Sequence, residues 1–183
     1  MTKVNLSQYK NSLSKGHQIK RFVWNIVWVV FARPFPRNVA STWKLFLLRL
    51  FGAKIHKTAN IYSSVKIYAP WNLEMGEHSC LAPEVDCYNV NKIIIGAHST
   101  VSQKSYLCSA SHDVTKSDIP LITAPIIIKD QVWIGANVFL GMGVTINTGA
   151  VIGATASVYK DVEAWTIVGG NPAVFIKKRE INE

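Results

Sequence analysis

His112 closes the segment Cys108-Ser109-Ala110-Ser111-His112-Asp113, where a regular spacing of aliphatic residues is interrupted. An imidazole titrates near neutral pH, so it can take a proton from a hydroxyl and return it within one reaction cycle. The residue alone has two readings of equal weight: a general base at the mouth of a site, or a solvated loop histidine. Asp86 and Asn89, in Val85-Asp86-Cys87-Tyr88-Asn89, form a second candidate group. A carboxylate and an amide together offer the paired acceptors and donors that sugar hydroxyls require. The alternative is a turn aspartate solvated at a corner.

The remaining candidates carry less. His78 and His98 fall in variable positions and read as exposed corner residues, and His17 and His56 lie outside any arguable site. No metal centre is expected. Cys80, Cys87 and Cys108 make an odd set without a C-x-x-C step, which argues against a disulfide framework and a zinc ribbon. They read as reduced, half-buried thiols of a cytoplasmic protein.

What must position these groups is a repeat. Ile128, Ile134, Leu140, Ile146, Ile152 and Val158 follow one another at steps of six. Four residues after each stand Val132, Val138, Val144, Ala150, Ala156 and Val162. Neither a 3.6-residue helix nor strand alternation gives a period of six. Hexapeptide periods mark parallel β-helices, in which each repeat buries its apolar face against the next. Ile55, Ile61 and Ile67 begin the series. It slips by two near Met75-Gly76 and again before Ile95-Gly96, and breaks over residues 113–127. Three hexads make one triangular turn, so residues 55–72, 75–92, 95–112, 128–145 and 146–163 predict about five coils. The segment 113–125 is then a loop expelled from the coil, and long excursions from a regular scaffold tend to carry function.

The 183 residues suffice for one domain with a sizeable core. The net charge of +9 is uneven: residues 1–54 hold ten Lys and Arg and no Asp or Glu, and the rest nets −1. Large apolar residues interleave with these cations, which fits a membrane surface or a packed partner and argues against nucleic acid. Residues 1–19 read as polar and poorly organised. The stretch Ile19–Phe31 reads as a helix stopped at Arg33-Pro34-Phe35-Pro36. A second helix is expected from a cap at Ser41 or Thr42, with Trp43, Phe46, Leu47, Leu50 and Phe51 on one stripe and Gly52 as its stop. The apolar run from Phe22 to Ala32 is too short to span a bilayer. The expected organisation is a basic, aromatic helical cap over 1–54, a β-helix over 55–179 and a tail over 180–183.

Ile134-Gly135-Ala136-Asn137-Val138, Ile152-Gly153-Ala154-Thr155-Ala156 and the closing Gly169-Gly170-Asn171-Pro172-Ala173 resemble the hexapeptide-repeat acyltransferases. The resemblance covers residues 55–179. It is nearest to the sugar O-acetyltransferases of galactoside, maltose and nodulation-factor type. Among these it is most similar to colanic-acid-type exopolysaccharide acetyltransferases, through the Trp-rich basic N-terminal helices and the junction Leu48-Arg49-Leu50-Phe51-Gly52-Ala53-Lys54-Ile55. It implies an all-β solenoid, a left-handed parallel β-helix, with His112 as catalytic base for direct acetyl transfer from acetyl-CoA to a hydroxyl. It implies a homotrimer with active sites between subunits. Asp86 and Asn89 lie one coil before His112, where relatives hold the acceptor. Trp133, Ala136, Ala154, Tyr159 and Lys160 match positions lining the family's cofactor groove, and backbone N–H groups near Ala136 are expected at the thioester oxyanion. Lys160, Lys177, Lys178 and Arg179 are cations for the phosphates of CoA.

The sequence also departs from the pattern. Ala82 and Val90 stand where galactoside enzymes carry their acceptor-binding Asn and Asp, and Val174 replaces a usual basic residue. The related γ-class carbonic anhydrases need two histidines five residues apart; the later steps here are 20 (His78 to His98) and 14 (His98 to His112), so a zinc hydratase is not expected. The expected activity is O-acetylation of a free or lipid-linked sugar in surface-polysaccharide biosynthesis, in the cytoplasm. The helical cap either only covers the coil end or also touches the inner membrane face. The rivals are a xenobiotic-type acetyltransferase acting on a small alcohol and a non-catalytic membrane-associated scaffold.

Overall fold

The computed structural model describes residues 3–10, 13–35 and 37–182, with the backbone alone for 37–40. Three parallel sheets form the faces of a triangular, left-handed β-helix. The first face stacks Ile55, Met75, Ile95, Ile128 and Ile146 in register. The second stacks Ile61, Leu81, Val101, Ile134, Ile152 and Val168. The third stacks Ile67, Cys87, Leu107, Leu140 and Val158. All of these side chains are buried. Each contributes roughly 1.5–3 kcal/mol of hydrophobic stabilisation against its exposed state. The six-residue step is thus the length of one face, and it brings an aliphatic inward once per face.

The rise from coil to coil records the interruptions. It takes 20 residues from Ile55 to Met75 and from Met75 to Ile95, 33 from Ile95 to Ile128, and 18 from Ile128 to Ile146. Five complete coils are followed by the start of a sixth, Thr166–Gly169. On it the strand Val174–Lys178 folds back antiparallel and closes the sheet edge. Corners are tight: a Cβ on Gly135 would stand 2.7 Å from the Ala154 nitrogen one coil above.

The other end is covered by helices. The helix α1 (Lys15–Val27) continues as a π-turn over Trp28–Ala32, and α2 (Arg37–Leu50) follows. Trp24 and Trp28 are buried on the coil side of α1, and their indole N–H groups donate to the carbonyls of Ile67 (2.7 Å) and Val65 (3.0 Å). These bonds fix the helix across the lowest coil.

Two details differ from the sequence expectation. The polar stretch before Ile19 is organised: Leu6–Gln8 forms a 3-10 turn, and Ser14 caps α1 by accepting the N–H of His17. The second helix begins at Arg37, so Ser41 and Thr42 are internal rather than caps. Pro36 and Glu183 lie outside the described residues. No helix among the described residues is long and apolar enough to cross a membrane.

Candidate functional site

The expelled segment is a β-ribbon. Ala110–His112 pairs antiparallel with Leu121–Thr123, and His112 lies opposite Leu121. The ribbon leaves the coil at the corner between the third and first faces. His112 Nδ1 lies 2.8 Å from the carbonyl oxygen of Ile119. A carbonyl can only accept, so Nδ1 carries the proton and the lone pair sits on Nε2. The ring is exposed, and that nitrogen is free to take a proton from a ligand.

The loop that supplies this carbonyl is built by Asp113. Its Oδ1 accepts the backbone N–H (3.1 Å) and hydroxyl (2.6 Å) of Thr115, and its other oxygen lies 3.8 Å from Lys116 Nζ. The Thr115 bonds hold the Asp113 carboxyl below its ordinary titration range. The Asp113 N–H donates to the Pro120 carbonyl, and Ile119 stands at φ 44°, a left-handed conformation that β-branched residues rarely adopt. Asp113 therefore shapes the loop and does not contact the imidazole.

His112 opens into a cleft of about 400 Å³ between the coil and the N-terminal segment, lined also by Tyr9, Arg21, Phe22, Tyr68 and Tyr88. A second cavity of about 410 Å³ shares Arg21, Asn25, Tyr68 and Tyr88 and reaches Asp86 and Lys66. Arg21 stands between the two. Its guanidinium lies 3.5 Å from the Tyr68 ring centroid, and Nη1 donates to the Tyr68 hydroxyl at 2.6 Å. Burial pushes the Tyr68 phenol up in pKa against the opposing effect of Arg21, so it remains a neutral donor at physiological pH.

The structure separates the two predicted acceptor residues. Asp86 is half-exposed in the second cavity, 3.5 Å from Lys66 Nζ. Asn89 is fully buried: its Oδ1 accepts from the Ala69 N–H (3.0 Å) and its Nδ2 donates to the Ala69 carbonyl (2.6 Å). Asn89 is a clip between coils and does not face the cleft. Sequence reasoning missed Arg21, Tyr68 and Tyr88. Two signals point to them: Tyr68 and Tyr88 are one 20-residue coil apart, and Arg21 shares the inward stripe of Trp24 and Trp28.

The predicted cofactor residues fall into three groups. Ala136 and Ala154 turn the corner between the second and third faces in successive coils, linked by the Thr155 N–H to the Ala136 carbonyl (2.8 Å). Trp133 stands 54% exposed on the adjoining face, its indole donating to Ser102 Oγ at 3.0 Å. Tyr159 and Lys160 line a cavity of about 660 Å³ under the C-terminal strand. Lys177 is exposed on that strand. Lys178 lies 3.7 Å from Glu163, and Arg179 donates to the carbonyls of Gln131 and Gly149, which ties the last strand down.

His112 and the Ala136–Ala154 edge therefore occupy different corners of the prism, one face apart. A six-residue face spans on the order of 15–20 Å. Along that third face runs a column of rings, Tyr68, Tyr88, Tyr106, Phe139 and Tyr159, with successive centroids 4.8, 6.2, 5.7 and 5.6 Å apart. Among the described residues no group of three or more His, Cys, Asp or Glu side chains is arranged to hold a metal ion.

No protein-family profile matches the chain. Known sequences and structures do. It is 44% identical over 166 residues to the "Putative colanic acid biosynthesis acetyltransferase WcaF" of Escherichia coli (strain K12), a stretch covering 90% of each chain. Its fold matches a maltose O-acetyltransferase from Clostridium difficile 630 at a TM-score of 0.81 and 26% identity, over 92% of this chain and 90% of that one. The hexapeptide-repeat acetyltransferase VCA0836 of Vibrio cholerae, solved in complex with acetyl-CoA, matches at a TM-score of 0.81 and 25% identity over 94% of each chain.

Proposed function

Because the chain belongs to the hexapeptide-repeat acetyltransferases, we propose that it transfers acetyl from acetyl-CoA to a sugar hydroxyl in surface-polysaccharide biosynthesis. The observation that carries this reading is the 2.8 Å contact of His112 Nδ1 with the Ile119 carbonyl, which leaves Nε2 as the acceptor in a cleft that His112 lines. The acceptor hydroxyl lies against Nε2, and its oxygen attacks the thioester carbonyl as Nε2 takes its proton. The tetrahedral intermediate collapses, the C–S bond breaks, and the imidazolium returns the proton to the departing CoA sulfur. No acyl-enzyme forms. Backbone N–H groups near Ala136 stabilise the oxyanion.

The acceptor occupies the cleft with its hydroxyls paired to Arg21, Tyr68 and Asp86, and its ring faces lie on the tyrosines. CoA runs past Trp133 and the small corner residues Ala136 and Ala154, which let the pantetheine approach the backbone. Tyr159, Lys160 and Lys177 take its nucleotide end. The separation of these residues from His112 supports an active site shared between two subunits of a homotrimer, His112 from one and the groove largely from its neighbour. The supply of acetyl-CoA makes the cytoplasm the site of action.

The test is thiol release from acetyl-CoA with a panel of free, oligomeric and lipid-linked sugars, alongside thermal unfolding with and without acetyl-CoA. A ligand at a hundred times its Kd stabilises the folded state by about 2.7 kcal/mol. Stabilisation with acceptor-dependent thiol release is expected. Neither effect with any sugar would remove this reading and leave the scaffold alternative.

A further inference from the structure

The unit formed by α1 and the π-turn that continues it is apolar on two opposite sides. Its coil side carries Trp24, Trp28 and Ala32, buried to 5% exposure or less. Its opposite side carries Ile19, Phe22, Val23, Ile26, Val29 and Val30 at the helical steps of one outward stripe. Phe22 is 67% exposed and Ile26 47%. Polar residues (Gln18, Lys20, Asn25) lie between the two apolar sides, and only the coil side is covered. The stripe continues onto α2. The Trp43 indole donates to the carbonyl of Phe31 at 2.7 Å, Trp43 stacks on Phe46 at 5.5 Å, and both are exposed together with Leu50. The apolar surface is therefore contiguous across the two helices.

Its charge is one-sided. Lys15 and Arg33 bracket the stripe on α1, and residues 1–54 contain no acidic residue. Large apolar and aromatic side chains flanked by Lys15 and Arg33 match the interface of an anionic bilayer, where rings and aliphatics enter the headgroup layer and Lys and Arg meet the phosphates. We propose that α1 and α2 dock this face on an anionic lipid surface. No described helix is long and apolar enough to cross that surface, so the contact is interfacial.

The docked face leads to the site. Phe22 belongs both to the stripe and to the wall of the cleft holding His112, and Val29 and Arg33 belong to the stripe's edge and to the cavity of Asp86. Both cavities thus open at the margin of the apolar face. An acceptor sugar attached to a lipid would reach His112 without leaving the bilayer surface. The docking itself is independent of acetyl transfer; only this consequence rests on the function proposed above.

The experiment is flotation of the full-length protein with vesicles of phosphatidylcholine alone or mixed with phosphatidylglycerol, at low and high salt. The double variant Ile26→Ser/Val30→Ser serves as the control; both side chains are solvent-exposed and neither lines a cavity. The wild type should float with the anionic vesicles, less so at high salt, and partition at least about tenfold more weakly into neutral ones. The double variant should lose at least about tenfold in anionic binding while its far-ultraviolet dichroism and acetyl-CoA-dependent thermal shift stay unchanged. Failure of the wild type to float, or equal flotation of the double variant, would overturn the proposal. So would a drop in the variant's native mass by light scattering, since that would assign the face to a second copy of the chain. The thermal shift reads the function separately, so a wild-type protein that shows the acetyl-CoA shift but does not float refutes the docking alone.

Discussion

His112 Nδ1 and the Ile119 carbonyl oxygen are 2.8 Å apart, seven residues from one another along a ribbon that the coil expels. The bond makes Nδ1 the donor and leaves Nε2 as the acceptor. It ties the chemistry of a single side chain to the shape of the loop that follows it.

That dependence makes Asp113 a positioning residue. Replacing it with Ala removes the acceptor of both Thr115 bonds, frees the loop and lets the imidazole turn. Turnover should fall about tenfold with the KM for acetyl-CoA unchanged. Asp113→Asn keeps an acceptor for Thr115 and should recover most of the rate. The pH dependence has a defined sign. The folded-state pKa of Asp113 is lowered, so its contribution to loop order is fully present above the unfolded value and is lost as pH falls through the depressed one. Hydrogen exchange of the Thr115 amide should accelerate relative to the coil amides on acidification through that range, and in the Ala variant at every pH. A wild-type Thr115 amide no better protected than in the variant would contradict the role.

Arg21 tests the acceptor cleft. Arg21→Ala should raise the acceptor KM about tenfold and leave acetyl-CoA binding intact, a loss of about 1.4 kcal/mol in sugar contacts. Arg21→Lys should not restore it, because an ammonium lacks the planar fork that lies on Tyr68 while donating to its hydroxyl. Steady-state kinetics with the two substrates varied in turn makes the distinction; an increase in the KM for acetyl-CoA instead would move Arg21 out of the acceptor site.

Asn89 predicts the reverse pattern. Its amide satisfies both backbone groups of Ala69 in the interior, and Asn89→Ala strands them. Unfolding free energy should drop by about 2–4 kcal/mol in urea denaturation, the cost of unpaired buried polar groups, with the acceptor KM of the folded fraction unchanged. A large KM effect without destabilisation would return Asn89 to the ligand.

The coil was legible because its signal is periodic. Each aliphatic from Ile55 to Val158 sits on a face at the place its step implies, and the two-residue slips at Met75 and Ile95 reappear as 20-residue coils. The candidate site was legible only in part. His112 stands out because it ends a regular run, yet nothing in residues 113–125 signals an antiparallel ribbon: its pairing closes over eight residues with no Asn-Gly or Asp-Gly turn. Arg21 reaches Tyr68 across 47 residues only because Trp24 and Trp28 donate to particular carbonyls of the lowest coil. Such docking angles come from tertiary packing and have no local pattern. The place of Asn89 was hidden for a related reason: an amide that serves a ligand and one that serves a buried backbone look alike in sequence, and the burial of Asn89 against Ala69 is a tertiary property.

If His112 is the base for direct acetyl transfer, His112→Ala should release CoA thiol about 10²–10⁴-fold more slowly than the wild type with an acceptor that the wild type turns over, while acetyl-CoA affinity changes by less than about twofold. A variant that releases thiol at the wild-type rate with the same acceptor would contradict it.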